Sequence, residues 1–221
     1  MKKQSKDNVL RKGPFRRAPR QKRSQILYDK IIATAKAQFR QHGYAYVSTN
    51  QIAEKANISI GSLYQYFSNR EAIALAVYEN ACHQAALTMK RKTLEHLGAP
   101  VEVSVPKLIE YVFDVFEKDR YALLQLINEV PELRRVAQPF SFDSLIHRNT
   151  QMFFEQHFAD VERIVIARKS YIIDKCVIGV IARYLDERPD CMNKSQAISE
   201  ITEFVTVYAM TLSRHRDLAP A

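Results

Sequence analysis

The sequence predicts an all-α protein, and three observations carry that prediction. Apolar residues recur at spacings of three and four along the chain from Ser24 onward, with no alternating strand pattern. Hydrophobic residues fill 47% of the 221 positions while Gly supplies only 5, a composition suited to compact helices. Ser48, Ser59 and Ser68 each stand where a helix should begin, and a side-chain cap is worth roughly 1 kcal/mol. The expected architecture is an N-terminal three-helix domain holding a helix-turn-helix, followed by a larger helical domain.

Charge separates off the first segment. Lys2, Lys3, Lys6, Arg11, Lys12, Arg16, Arg17, Arg20, Lys22 and Arg23 face a single acid, Asp7, across residues 1–23. The remainder holds 23 basic and 23 acidic residues, so the formal net charge of +9 belongs to this arm. A stretch so polar cannot bury enough apolar surface to fold alone, so residues 1–22 are expected to be disordered. Such an arm suits phosphates through counterion release, or a minor groove. A solvated tail, or attraction to anionic lipid, remains the alternative.

The first helix is predicted from Leu27, Ile31, Ile32, Ala35 and Phe39, and Gly43 should end it in a left-handed conformation. Ser48 and Gln51 form an S-x-x-Q capping box, with Val47 and Ile52 at the flanking staple positions. Asn57 tolerates the left-handed geometry that a tight turn requires. Ser59 then caps a short helix through Leu63 and Phe67, and Ser68 with Glu71 is expected to open a fourth. A short capped helix, a turn and a second short capped helix form a helix-turn-helix, whose second helix meets base edges in the major groove.

Further helices are expected near 105–118, 120–136 (disturbed by Pro131), 141–158, 160–187 and 194–214, with Pro100 and Pro106 in a loop. In the last, Ile198, Ile201, Val205, Tyr208 and Leu212 follow a 3, 4, 3, 4 spacing, with Phe204, Val207 and Thr211 beside it. A helix with two apolar faces must meet two surfaces. A bundle across a two-fold axis over about 160–214 is therefore expected, with Ile172, Gly179, Ile201, Val205, Tyr208 and Leu212 in the dimer interface.

Several function classes are disfavoured. No apolar run approaches 18 residues, so no transmembrane helix is expected. Cys82, Cys176 and Cys191 lack CxxC pairing, which argues against disulfides and zinc and for a reducing cytoplasm. The six His are scattered, and there is no G-x-S-x-G, Walker loop or dinucleotide fingerprint, so neither an enzyme nor a metal or cofactor is expected.

Ser-Thr-Asn-Gln-Ile-Ala at 48–53, Ile-Ser-Ile-Gly-Ser-Leu-Tyr-Gln-Tyr-Phe at 58–67 and Ser-Asn-Arg-Glu at 68–71 resemble the N-terminal domain of the TetR/AcrR family of bacterial transcription regulators. Asn57 stands where that family usually has Gly. The resemblance divides the chain into a basic arm (1–22), a helix-turn-helix domain (23–70) and a helical effector-binding and dimerisation domain (71–221). It implies a cytoplasmic homodimer on a palindromic operator of double-stranded DNA, a repressor released by a small molecule. It also implies that Ser48, Thr49, Asn50, Ile60, Gly61, Ser62, Tyr64, Gln65, Tyr66 and Arg70 meet DNA, Arg70 through phosphate. Independently, Gly61 leaves room at a helix N-terminus and Gln65 suits bidentate pairing with adenine. For the effector, Phe113, Phe116, Tyr121, Phe153, Phe154 and Tyr171 supply an aromatic lining, with Gln125 and Asn128 as polar anchors and Cys176 nearby. The alternatives are an activator or effector-independent regulator of the same fold, or a helical adaptor whose basic tail binds membrane or RNA.

Overall fold

The computed structural model describes residues 22–131, 133 and 142–212, and among these it contains nine α-helices and no strand. They are α1 (Lys22–His42), α2 (Thr49–Lys55), α3 (Ile60–Tyr66), α4 (Arg70–His96), α5 (Val101–Lys118), α6 (Leu126–Glu129), α7 (Phe142–His157), α8 (Arg163–Glu187) and α9 (Lys194–Met210). A 3-10 turn, Tyr44–Tyr46, precedes α2, and a π-helical turn, Tyr121–Gln125, runs into α6. The basic arm expected at 1–22 lies outside the described residues up to residue 21. The described helices include none long and apolar enough to cross a membrane.

Two compact units divide the chain. The first runs to Asn80 and takes in a later segment that starts at Gln125; the second holds Ala81–Leu124 and the chain from Gln138. In the first, Ile31, Ala35 and Phe39 of α1 are buried along with Ile52, Ala53, Leu63 and Phe67, as α1 packs on α2 and α2 on α3. Tyr28 stacks on Phe67 at 5.2 Å, and Phe39 meets Tyr44 edge-on at 5.3 Å. Emptying a fully buried Phe such as Phe67 to Ala costs about 3–5 kcal/mol.

Local signals set the helix ends here. Gly43 takes φ 81° and its amide donates to the Phe39 carbonyl at 2.8 Å. Ser48 and Gln51 make the full reciprocal box, Asn57 turns at φ 51°, and the Ser59 hydroxyl accepts from the Ser62 amide at 3.0 Å. The start of α4 differs from expectation. Its cap is Asn69, whose Oδ1 accepts from the Ala72 amide at 2.8 Å, while the Glu71 carboxylate accepts from the Tyr44 hydroxyl at 2.9 Å.

In the second unit α5 begins at Val101, earlier than expected, with Pro100 as its N-cap and Pro106 inside the helix. The Ser104 hydroxyl donates to the carbonyls of His96 (2.9 Å) and Ala99 (3.2 Å), tying this early turn to the preceding loop. The helix expected near 120–136 is interrupted: α6 stops at Glu129, Val130 turns to φ −124°, ψ 87°, and the described residues Pro131 and Leu133 are helical again. A proline disfavours the helical conformation at the residue before it, which places the interruption at Val130. Helix α9 carries a capping box of Asn193 and Gln196 that sequence reading overlooked, although N-x-x-Q is a visible signal.

The expected dimer seam is only partly outward. Ile201, Val205 and Leu212 are buried within the subunit, while Phe204, Val207 and Met210 lie exposed. Ile172 and Gly179 are exposed, Tyr208 is half-buried, and Tyr171 and Val180 join the exposed apolar set on α8. Both stripes of α9 are apolar, so spacing alone could not say which faces the protein's own core.

Candidate nucleic-acid interface

Caps and turn hold α2 and α3 as a helix-turn-helix, and the outward side of α3 is the candidate reading surface. Leu63 and Phe67 are fully buried and fasten α3 to its domain. Ile60, Gly61, Tyr64 and Gln65 are exposed, and Ser62 is half-buried. Ser48 and Asn50 are exposed at the start of α2, with Thr49 partly so. The Thr49 hydroxyl and the Tyr64 hydroxyl lie 3.1 Å apart, so the first residue of α2 and the middle of α3 share one polar edge. That bond restrains the exposed Tyr64 ring before any partner arrives.

Gly61 is informative because the fold does not require it. A methyl placed there would meet only the Ser59 Oγ at 3.8 Å, an ordinary contact. Its missing side chain leaves the first turn of α3 open to close approach from outside. Free amides at a helix N-terminus suit phosphate. Ile60 offers an apolar surface of the kind that meets a thymine methyl, and Gln65 carries the donor and acceptor for an adenine edge.

Two expected DNA-facing residues are turned to other uses. Tyr66 is 8% exposed; its hydroxyl lies 2.9 Å from the Ser24 hydroxyl, and its ring packs beside Tyr28. Tyr66 falls one turn from Leu63 on the inner face of α3, so helical geometry draws it inward with that residue. Arg70 is expected at phosphate, yet its Nη1 donates to the carbonyls of Tyr44 (3.2 Å), Ala45 (3.2 Å) and Val47 (3.1 Å). The guanidinium also lies 4.1 Å over the Tyr44 ring. It closes the carbonyl end of the 3-10 turn that aims α2.

Tyr44 anchors this network. Its amide donates to Glu129 at 2.7 Å, which joins α6 to the turn within the first unit. Burial, with Glu71 adding and Arg70 opposing, pushes the Tyr44 hydroxyl up to about 12. Burial likewise raises the Tyr28 hydroxyl to about 12 and lifts the Glu79 carboxyl above its ordinary 4.5. Sequence reading also missed Tyr46, 81% exposed beside the Ser48 cap. An aromatic in a connecting loop gives no periodic signal that separates outward from inward.

The second unit contains a cavity of about 70 Å³ among α4, α5, α7, α8 and α9. Of the expected pocket residues, Phe153 and Phe154 line it. Phe113, Phe116 and Tyr121 are buried but do not, and Tyr171 and Cys176 are exposed on the outer side of α8. Gln125 and Asn128 fall in the segment grouped with the first unit. The inner side of α8 instead brings Ile173, Asp174 and Val177 to the cavity wall.

A helix-turn-helix with this cap pattern defines a class of DNA-reading domain, and comparison with known proteins gives its family. Residues 31–77 match the model of the bacterial regulatory proteins of the tetR family, so this segment is a DNA-reading domain of the tetR-family type. YerO, an uncharacterized HTH-type transcriptional regulator of Bacillus subtilis, is 30% identical over 114 residues, 51% of this chain but only 39% of its own length. Among solved structures, a protein from Mesorhizobium loti assigned to the TetR family superposes with a TM-score of 0.71 at 18% identity, covering 86% of this chain and 98% of its own. The fatty acid degradation regulator FadR from Bacillus halodurans gives 0.54 at 19%, covering 84% and 93%. The repressor AlkX from Dietzia, implicated in n-alkane biodegradation, gives 0.55 at 15%, covering 85% and 95%. At these identities the structures establish the fold.

Proposed function

We propose that this chain is a homodimeric repressor that reads a palindromic operator with α3 and leaves it when a small molecule enters the second unit. The observation that carries the reading is the outer face of α3: Ile60, Gly61, Tyr64 and Gln65 exposed, with Ser62 half-buried beside them, on a helix whose start is fixed by the Ser59 cap. The rigid two-helix frame allows base contacts without an ordering cost at binding. Two subunits would set their α3 helices in successive major grooves, about one DNA turn apart.

The exposed apolar stripes of α8 and α9 support self-association, since contiguous exposed apolar surface marks an interface. The occupant would be a second copy, through Ile172, Val180, Phe204 and Val207. The basic arm would add phosphate contacts outside the reading helix, which itself carries no charged side chain. Aliphatic effectors come into view through the names of the FadR and AlkX proteins and suit the largely apolar cavity lining.

The test is selection of DNA fragments by the purified chain from its own genome. A regulator retains a few fragments sharing a palindrome; uniform retention, or none, would refute sequence-specific reading. The Phe204→Glu, Val207→Glu double variant should sediment as a monomer, and a dimer that survives it would place the interface elsewhere.

A further inference from the structure

Two polar side chains on the cavity wall have no bond to make within the described protein. Thr93 of α4 is 3% exposed and lines the cavity one helical turn beyond Met89, yet among the described residues its hydroxyl has no hydrogen-bond partner. Asn149 of α7 lines the same cavity, half-buried, and among the described residues its carboxamide is likewise unpaired. The other polar groups of the wall are engaged. The Thr150 hydroxyl donates to Asp174 Oδ1 at 2.6 Å, and Asp174 Oδ2 lies 2.8 Å from His147 Nδ1, which ties α8 to α7. The rest of the wall is apolar, with Ile109, Val112, Phe153 and Val177 prominent.

Buried polar groups are normally hydrogen-bonded, and a ligand that covers one without bonding it forfeits affinity. A pure hydrocarbon therefore suits this wall less well than a hydrocarbon carrying one accepting oxygen. Charge is disfavoured at either sign. A carboxylate ligand would need a cation beside it, and none of the described lining residues is Lys, Arg or His. An ammonium would have to compete for a carboxylate that Thr150 and His147 already hold. The cavity volume is about 70 Å³ where one water needs roughly 10–15 Å³, so a molecule of several heavy atoms has room.

We propose that this cavity takes a small uncharged lipophilic oxygen compound, a ketone or alcohol. Its oxygen accepts from the Thr93 hydroxyl, with the Asn149 amide as the second donor on the wall, and its alkyl body lies against Ile109, Val112, Phe153 and Val177. The proposal rests on the reading of the cavity as the effector site.

The test uses pentan-2-one, n-pentylamine, pentanoate and xenon, titrated into the DNA-free full-length chain carrying ¹³C-labelled Ile and Val methyls. Pentan-2-one should shift the Ile109 and Val177 methyls with at least about tenfold tighter affinity than either ion, which would enter with a charge unpaired. Thr93→Val and Asn149→Leu, close in shape to the parent, should each weaken pentan-2-one about fivefold, the loss of one hydrogen bond. Xenon accepts no hydrogen bond, so its affinity should hold or rise in both variants. Val177→Phe, which fills the cavity, should abolish both ligands. Either ion binding as tightly as the ketone would overturn the proposal, as would an unchanged ketone-to-xenon ratio in Thr93→Val, a ratio that altered packing alone does not move. If the Thr93 variant does not fold, the ranking of ketone and ions on the unaltered chain decides alone. Release of operator DNA by pentan-2-one is scored separately, so failure of the operator or effector reading leaves the binding result intact.

Discussion

Removing the Arg70 guanidinium separates a structural clamp from a phosphate contact. Nη1 shares its two protons among three carbonyls, those of Tyr44, Ala45 and Val47, and the group stacks 4.1 Å above the Tyr44 ring. Hydrogen bonds from a charged donor contribute about 1.5–3 kcal/mol when buried. Arg70 is only half-buried, so the low end applies, about 2 kcal/mol for the set. The ring contact adds about 0.5 kcal/mol. Arg70→Ala should therefore cost about 2–3 kcal/mol, a fall in melting temperature of roughly 5–10 °C for a chain of this size. Lys keeps the charge but loses the planar fork, so Arg70→Lys should fall nearly as far. Thermal unfolding followed by far-UV circular dichroism gives the shift, and hydrogen exchange at the Val47 amide, bonded to the Tyr44 carbonyl at 3.3 Å, localises it. The clamp would be refuted by Arg70→Ala melting like the parent while the salt slope of DNA binding drops by about 0.9, the signature of one lost phosphate contact.

Further expectations follow from the same geometry. Gly61→Ala should leave the melting temperature unchanged, since the added methyl meets only Ser59 Oγ at 3.8 Å, yet weaken operator binding in a mobility-shift titration; equal affinity would remove the close-approach argument. Gln65→Ala should weaken operator binding by about 1–3 kcal/mol and spare non-specific binding, and equal loss on both DNAs would exclude base reading. Asn69→Ala should cost about 1 kcal/mol in thermal unfolding through loss of the α4 cap. Burial raises the folded-state Glu79 carboxyl above 4.5, so its protonated form favours folding and stability falls as pH climbs from about 4.5 through the folded value. Glu79→Gln should accordingly melt higher than the parent at neutral pH, with the gain vanishing in acid; a gain independent of pH would assign it to packing instead.

The helix-turn-helix was legible because its signals are local. Ser48 with Gln51, Asn57, Ser59 and Gly43 each act on backbone within a few residues, and each performs in the structure the task its chemistry implies. The start of α4 was less legible, because Ser68 and Asn69 are both good caps and Glu71 had a competing partner in Tyr44, 27 residues away in sequence. The pocket was the least legible part. Aromatics at helical spacing on α5 and α7 differ in sequence by nothing that shows which line a cavity and which fill the core.

Sequence by itself determined the helical class, the positions of α1 to α3 and the confinement of net charge to the N-terminal arm. These follow from hydrogen bonds that close within one helical turn and from composition. Tertiary structure alone decided that Tyr66 turns inward to Ser24, that Arg70 clamps three carbonyls, that Ile201, Val205 and Leu212 face the core, and that Asp174 borders the cavity. Each depends on residues more than twenty positions apart, and a helix with two apolar faces, or an Arg with two possible acceptors, has its choice made only by what packs against it.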